Sequence, residues 1–592
     1  MNDGTDCPSN TSTRALNWLD LVPIVLIAGL AFTISIDVLN TRPATAYPTG
    51  DVGMYSSVAA NWLWPDSFPG DHFMAERQGT AQYLTVLSLQ VGMLFRALFG
   101  DFGTAFSVMN FPLILAQGLG FYFLGRRLFG TPTRALLLVV ACYLPAIGSY
   151  WYVQAYALAR MWYMALLPFM LLAALRHGPN PRTWPWLMAG IGLSMHVHPV
   201  SAPVVGFATL IGLAALKPRS WSTGELLWRL FVAGLAFLAG AMPFVAVSFL
   251  VADHGPISDY ETFLRIRSWY GNAFVSISSY VGGMVLRVNM AFILGGGVLG
   301  AAVALRMWQR DRTPLDFLVL WCLGLGIATI VFPWADHLVA TSNETRPNLA
   351  EAVRGFRYMV PVAWILMLFA VFAVFDRALP AWRFAGRVMR PATAIAIVLV
   401  ALFGAGTKLS SAPPYIFAWY QFVPFLPTLS CWSKGEFLCQ RSRPGHLSPV
   451  IEHLKFTYPE GTRILPFVDR YRGAGVGQES LAAIIRFAAQ RPVPFSFHER
   501  LLALYGDMSE RGHIWRWLGL RSQYLEAFSQ FAYHQPQPLP SLQALIDELD
   551  VDVLVTEVRL MDWQARALGP VTFRNEALTV IDVRDRARAP RP

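Results

Sequence analysis

Apolar runs of near-membrane length recur from about Leu19 to Leu409, and no other feature constrains the fold of this chain as strongly. A helix needs roughly 20 apolar residues to cross the hydrocarbon core. Lipid offers the backbone no hydrogen bonds, so each such run must be helical. The expected spans are 19–38, 104–125, 135–152, 160–176, 184–197, 200–216, 229–251, 279–305, 315–333, 356–375 and 391–408. Composition agrees: 55% of the 592 residues are hydrophobic and only 14% are charged, against about 25% charged in soluble domains. The fold class expected is an α-helical polytopic membrane protein of about eleven spans with a C-terminal extracytoplasmic α/β domain. The first run follows a polar leader, 1–18, and lacks a small-residue cleavage site, so it reads as a retained helix.

The arginines orient this chain. Arg126, Arg127 and Arg134 share one loop, Arg176 and Arg182 another, Lys217, Arg219 and Arg229 a third. Arg306, Arg310 and Arg312 follow, then Arg377, Arg383, Arg387 and Arg390. All fall on one side if the N-terminus is cytoplasmic and Ala81–Phe99, interrupted by Gln90 and Arg96, is an interfacial helix rather than a span. The net charge of +10 therefore reads as topology and not as a nucleic-acid surface. The expected location is a bacterial inner membrane, with residues 410–592 forming a periplasmic domain. That domain mixes strand-like runs ("RILPFV", "DVLVTE", "LTVIDV") with helical ones ("SLAAIIRFAAQ", "SLQALIDELD"). Cys431 and Cys439 lie in it and could form a disulfide in an oxidising compartment.

Sorted by side, the unusual polar groups collect outside. The loop 39–103 holds Asp51, Tyr55, Asp66, Asp71, His72, Glu76 and Arg77; the turn before the fourth span holds Arg160; "MHVHP" holds His196 and His198. Two further external loops, 253–278 and 334–355, carry more, the latter His337 and Arg354, with Arg357 just beyond. Ionisable groups at a membrane boundary are costly and default to function. Each also has a plainer reading. Asp51 could cap a helix starting at Val52, Arg160 could snorkel, and the two histidines could hydrogen-bond to loops instead of clamping a metal. At i, i+2 the histidines share no helix face, whereas Arg354 and Arg357 at i, i+3 do and suit an anion.

The layout resembles the GT-C glycosyltransferases, the multi-span enzymes that use polyprenyl-phosphate sugars, such as protein mannosyltransferases and aminoarabinose transferases. Asp51 in "GDVGMY" stands just beyond the first span with an aromatic residue, Tyr55, four positions on, as that family's catalytic Asp does. "FYFLGRRLFG" is similar to the family's second span, and "YALARMWYMALLPFMLL" to its fourth, opening with an arginine near the lipid phosphate. The resemblance spans roughly 15–410, and departs from the family at Val52, where an acidic neighbour is usual.

What this implies is transfer of a sugar from a polyprenyl-phosphate donor to a hydroxyl of a glycan, lipid or protein acceptor, with inversion. Asp51 would be the base. Arg160, Arg354 and Arg357, helped by His337 or His198, would hold the donor phosphate through charge-assisted hydrogen bonds. Asp71, His72, Glu76, His196 and Tyr55 would face sugar or acceptor. No cofactor is required; a divalent cation suits Asp51, Asp71, Glu76 or the histidines, but no spacing demands one. Other readings stay open. A flippase for lipid-linked glycans should carry polar groups through the membrane's depth, a ligase or polymerase would share this chemistry, and a scaffold would not need the crowded first loop. The sugar, acceptor, lipid length, oligomeric state and role of the C-terminal domain are not encoded in any motif.

Overall fold

The computed structural model describes residues 18–41, 47, 51–71, 74, 86–143, 158–218, 220–251, 288–342, 350–378, 433, 446–469, 477–497, 513–532, 540–557 and 567–584. The expected span 391–408, the loop 253–278, His72, Glu76, Cys431 and Cys439 lie outside them, as does the side chain of Asp51.

Among the described residues up to Ala378 the regular secondary structure is all helical. In chain order come α1 (Trp18–Thr41), α2 (Asp51–Leu63), α3 (Leu87–Phe99), α4 (Phe102–Val108), α5 (Asn110–Phe129), α6 (Pro132–Tyr143) and α7 (Ala159–His177). Then follow α8 (Trp184–Leu193), α9 (Ser201–Leu213), α10 (Thr223–Val251), α11 (Val288–Met307), α12 (Thr313–Gly326), α13 (Phe332–Ser342) and α14 (Met359–Ala378). A 3-10 helix, Ala350–Tyr358, leads into α14, and a π-helical turn, Ile327–Val331, joins α12 to α13. Among the described residues, five helical stretches are long and apolar enough to cross a membrane: Phe102–Phe129, Ala159–His177, Thr223–Val247, Thr313–Val339 and Ala352–Arg377. The expected spans 184–197 and 200–216 are shorter as α-helices, because 3-10 turns at Ser194–His196 and Ala214–Leu216 end α8 and α9.

The α10 helix displays how the bilayer acts as solvent. Leu227, Phe231, Leu235, Leu238 and Met242 form one face of it and are largely exposed, which only lipid tolerates. Its other face meets α8 with no room to spare. A Cβ added at Gly192 would lie 2.2 Å from Phe237 O, and one at Gly240 would lie 2.1 Å from Ala189 O. Small residues allow this backbone-to-backbone approach, which replaces the hydrophobic drive that lipid removes.

The C-terminal region adds α15 (Leu447–Thr457), α16 (Gln478–Ile484), α17 (His513–Ala532) and α18 (Pro540–Glu548). Its strands are β1 (Ile464–Phe467), β2 (Val553–Thr556), β3 (Val571–Arg574) and β4 (Thr579–Asp582), in sheet order β1-β2-β4-β3. The β1–β2 pair is parallel, bridged by the helices between them, and the other two pairs are antiparallel. The three strand-like runs read from the sequence are β1, β2 and β4, each fully buried. The edge strand β3 is mostly exposed and was not among those runs. Tyr524 of α17 locks β1 from one side, accepting from Val468 N at 2.9 Å and lying 2.8 Å from Val468 O. Burial pushes its hydroxyl well above the usual tyrosine range.

Candidate functional site

Alternation of the helices sorts the ionisable groups by end. At the end where α1 starts and α5 finishes, Asp20 accepts from the Tyr122 hydroxyl at 2.5 Å and pairs with Arg126 at 2.8 Å. There too Asp376, at the close of α14, binds both arms of Arg134 and approaches Arg310 at 3.6 Å. Arginines that the sequence offers as plain anchors are thus knitted to acids of distant helices. The opposite end collects the start of α2 with Asp51, the start of α7 with Arg160, the turn holding His196 and His198, and the 3-10 helix holding Arg354 and Arg357.

Three of those loops converge on His198. It sits half-buried in the turn between α8 and α9, outside the spanning helices. Its pKa is pushed down to about 3, first by burial and then by the guanidiniums of Arg357, Arg160 and Arg354 in that order. Residues from α7, from "MHVHP" and from the 3-10 helix therefore lie within electrostatic reach of one ring. Arg357 is 4% exposed and donates from Nε to the backbone O of Arg354 at 2.9 Å, which holds its guanidinium against that turn. The ring of His198 is held in turn: Nδ1 lies 2.6 Å from Ser201 Oγ, and Ser201 Oγ bonds the buried hydroxyl of Tyr358. Tyr163 packs edge-on to Tyr358, ring centres 5.5 Å apart. Nothing in the sequence marked Ser201, Tyr358 or Tyr163, beyond Ser201 standing three residues after His198 and Tyr358 directly after Arg357.

The other expected residues are placed differently. His196 turns its ring to Phe244 of α10, centroids 5.8 Å apart, so the two histidines have different neighbours. His337 is half-buried on α13, which packs against the same 3-10 helix. Tyr55 is half-buried one turn into α2. Asp71 is 0% exposed and meets Arg486, whose Nε and a terminal nitrogen donate to its two oxygens at 2.7 and 2.8 Å. Val493 N adds a bond at 2.8 Å and Met74 N one at 3.2 Å. Asn61 on α2 then donates to Met74 O at 2.9 Å. This carboxylate is therefore spent tying α2 to the C-terminal domain. Arg486 lies in a π-helical turn, Ile485–Ala489, that follows α16. Nearby, Ser57 Oγ is 3.3 Å from Ala483 O, and the rings of Phe102 and Phe487 meet edge-on.

An apolar cavity of about 220 Å³ is lined among others by Val204, Phe207, Phe237, Phe332 and, from the 3-10 helix, Ala352. Among the described residues no group of three or more His, Cys, Asp or Glu could hold a metal ion.

Compared with known proteins, the chain matches no family model, and no curated protein matches it significantly. Among solved structures it is similar in shape to ArnT from Cupriavidus metallidurans bound to undecaprenyl phosphate, with TM-score 0.49 and 15% identity over 96% of this chain and 99% of that one. The apo form of that ArnT gives TM-score 0.46 and 15% identity over 94% and 97%.

Proposed function

We propose that this protein is an integral-membrane glycosyltransferase that moves a sugar from a polyprenyl-phosphate donor to an acceptor hydroxyl. The observation that carries the reading is the gathering of Arg160, Arg354 and Arg357 around one neutral imidazole, at the end of the bundle where α2 begins with Asp51. A departing phosphate needs charge stabilisation more than a proton, and guanidiniums supply it through charge-assisted bonds aimed where charge develops. The isoprenoid chain has an apolar place to lie, in the cavity bounded by Ala352 and Phe207. Asp51 is the base that takes the acceptor's proton. Attack on the anomeric carbon as phosphate leaves inverts that centre. His337 assists at the phosphate, and His196 and Tyr55 face sugar or acceptor. The site faces the periplasm and the N-terminus the cytoplasm, which agrees with the arginine loops of the sequence.

The test uses the full chain in lipid nanodiscs with labelled polyprenyl-phosphate sugars, read against Asp51→Asn. Transfer by the native chain and none by the variant, at equal insertion, supports the reading. Full transfer by Asp51→Asn removes Asp51 as the base. Loss of one glycan in a deletion strain, followed by profiling of its lipids, names the sugar and the acceptor.

A further inference from the structure

The hydrogen bonds beneath His198 have a direction that proton counting reveals. Three polar atoms, His198 Nδ1, Ser201 Oγ and Tyr358 Oη, form two hydrogen bonds, and Ser201 and Tyr358 are 3% and 0% exposed. Among the described residues neither hydroxyl has another side-chain or backbone acceptor, and Ser201 is the sole hydrogen-bond partner of the ring. Two hydroxyl hydrogens are available. If Tyr358 donates to Ser201 and Ser201 donates to Nδ1, both are used. If Nδ1 instead carried a proton and donated to Ser201, one hydroxyl hydrogen would serve the Ser201–Tyr358 bond and the other would be buried with no acceptor. That outcome costs about as much as a lost hydrogen bond, and a doubly protonated ring carries the same cost.

We infer that Ser201 and Tyr358 hold His198 as a neutral imidazole with its proton on Nε2, making it an uncharged hydrogen-bond donor to the anion that Arg160, Arg354 and Arg357 attract. The identity of that anion as a lipid phosphate rests on the function proposed above; the tautomer does not. Two consequences separate this arrangement from ordinary ones. With Nδ1 already accepting and Nε2 protonated, the ring is neither a general base nor a metal ligand as it stands. It also adds a donor to the arginines without adding a fourth charge to repel them. Ser201 and Tyr358 are positioning residues acting through His198. The groups facing the ring are Arg160 and Tyr163 from α7 and Arg354 and Arg357 from the 3-10 helix, with Tyr358 reaching it through Ser201.

The experiment is nitrogen-15 NMR of the histidine-labelled full chain in nanodiscs, with His198→Gln locating the signal. The expected result is an unprotonated Nδ1 and a protonated Nε2 from about pH 5 to 8, the range where free imidazole titrates. A protonated Nδ1 or a doubly protonated ring in that range overturns the inference. The second arm replaces Ser201 with an acceptor-only side chain, Ser201→Asp, and reads binding of undecaprenyl phosphate in the same discs. Nδ1 must then donate, so at high pH the Nε2 lone pair faces the anion, and only on acidification does Nε2 regain its proton. Because the phosphate itself titrates near about pH 6 in every form, each variant is read against the native chain: the Ser201→Asp to native affinity ratio should rise about tenfold from pH 8 to 5, and the Ser201→Thr to native ratio should stay flat. A flat ratio for Ser201→Asp overturns the role of Ser201. Absence of undecaprenyl phosphate binding in every form, with the expected nitrogen spectrum, sinks the proposed function and leaves the tautomer standing.

Discussion

Where α2 meets the C-terminal domain, Arg486 gives two donors to Asp71 and a third contact to Val493 O at 2.7 Å. Where α7 meets the 3-10 helix, Arg160, Arg354 and Arg357 gather instead on one imidazole. Arg486 and Arg357 are both buried near the same end of the bundle. In the first place a carboxylate and a backbone carbonyl meet the guanidinium, and the product is a fixed joint. In the second, three guanidiniums act on an imidazole that burial and their fields keep neutral, where the proposed function puts an anion. Burial of an arginine does not by itself tell the two roles apart.

The comparison can be broken from either side. The largest effect is expected at the base: Asp51→Asn should lower transfer about 10²–10⁴-fold without loss of protein from the membrane. Next comes the joint. Arg486→Ala leaves the Asp71 carboxylate buried without its guanidinium and should cost about 3–5 kcal/mol of stability, whereas Arg486→Met with Asp71→Leu should recover most of that. Thermal unfolding in detergent measures both; a double variant no more stable than the single one would show that the pair itself holds the domain. Smaller still, Arg354→Ala should weaken undecaprenyl phosphate binding roughly 10–100-fold, the worth of one charge-assisted contact. Unchanged binding would take Arg354 out of the anion site.

The smallest effect is a pH dependence. His198 stays neutral in the fold down to about pH 3, while an unfolded-chain imidazole protonates near about 6.5. Between those values the unfolded state binds the extra proton, so stability falls as pH drops through this window and is insensitive to the ring above it. His198→Gln should flatten that part of the curve.

Much of the fold was legible because its signals are local. The apolar runs that become α5, α7, α10 and α14 are long, and β1, β2 and β4 are fully buried and read as short, mostly apolar, β-branched runs. The edge strand β3, "VTFR", alternates apolar and polar residues but is only four long and mostly exposed, so it was passed over beside the longer apolar runs. The candidate site was legible as a set of loops, and Arg160, Arg354 and Arg357 all act electrostatically on His198. What stayed hidden is pairwise. Asp71 looked like its neighbouring acids, and its partner is 415 residues away. Asp20 finds Arg126 across 106 positions, and Arg134 finds Asp376 across 242. Ser201 and Tyr358 are ordinary residues whose meaning lies in who donates to whom, a fact that exists only in three dimensions.

The glycine contact between α8 and α10 has a mechanical consequence. With a carbonyl seated where a methyl would be at both Gly192 and Gly240, the two helices sit at a separation that any larger residue at either position would force wider. The "MHVHP" turn is mounted at the end of α8, so its depth in the bilayer is set by α10.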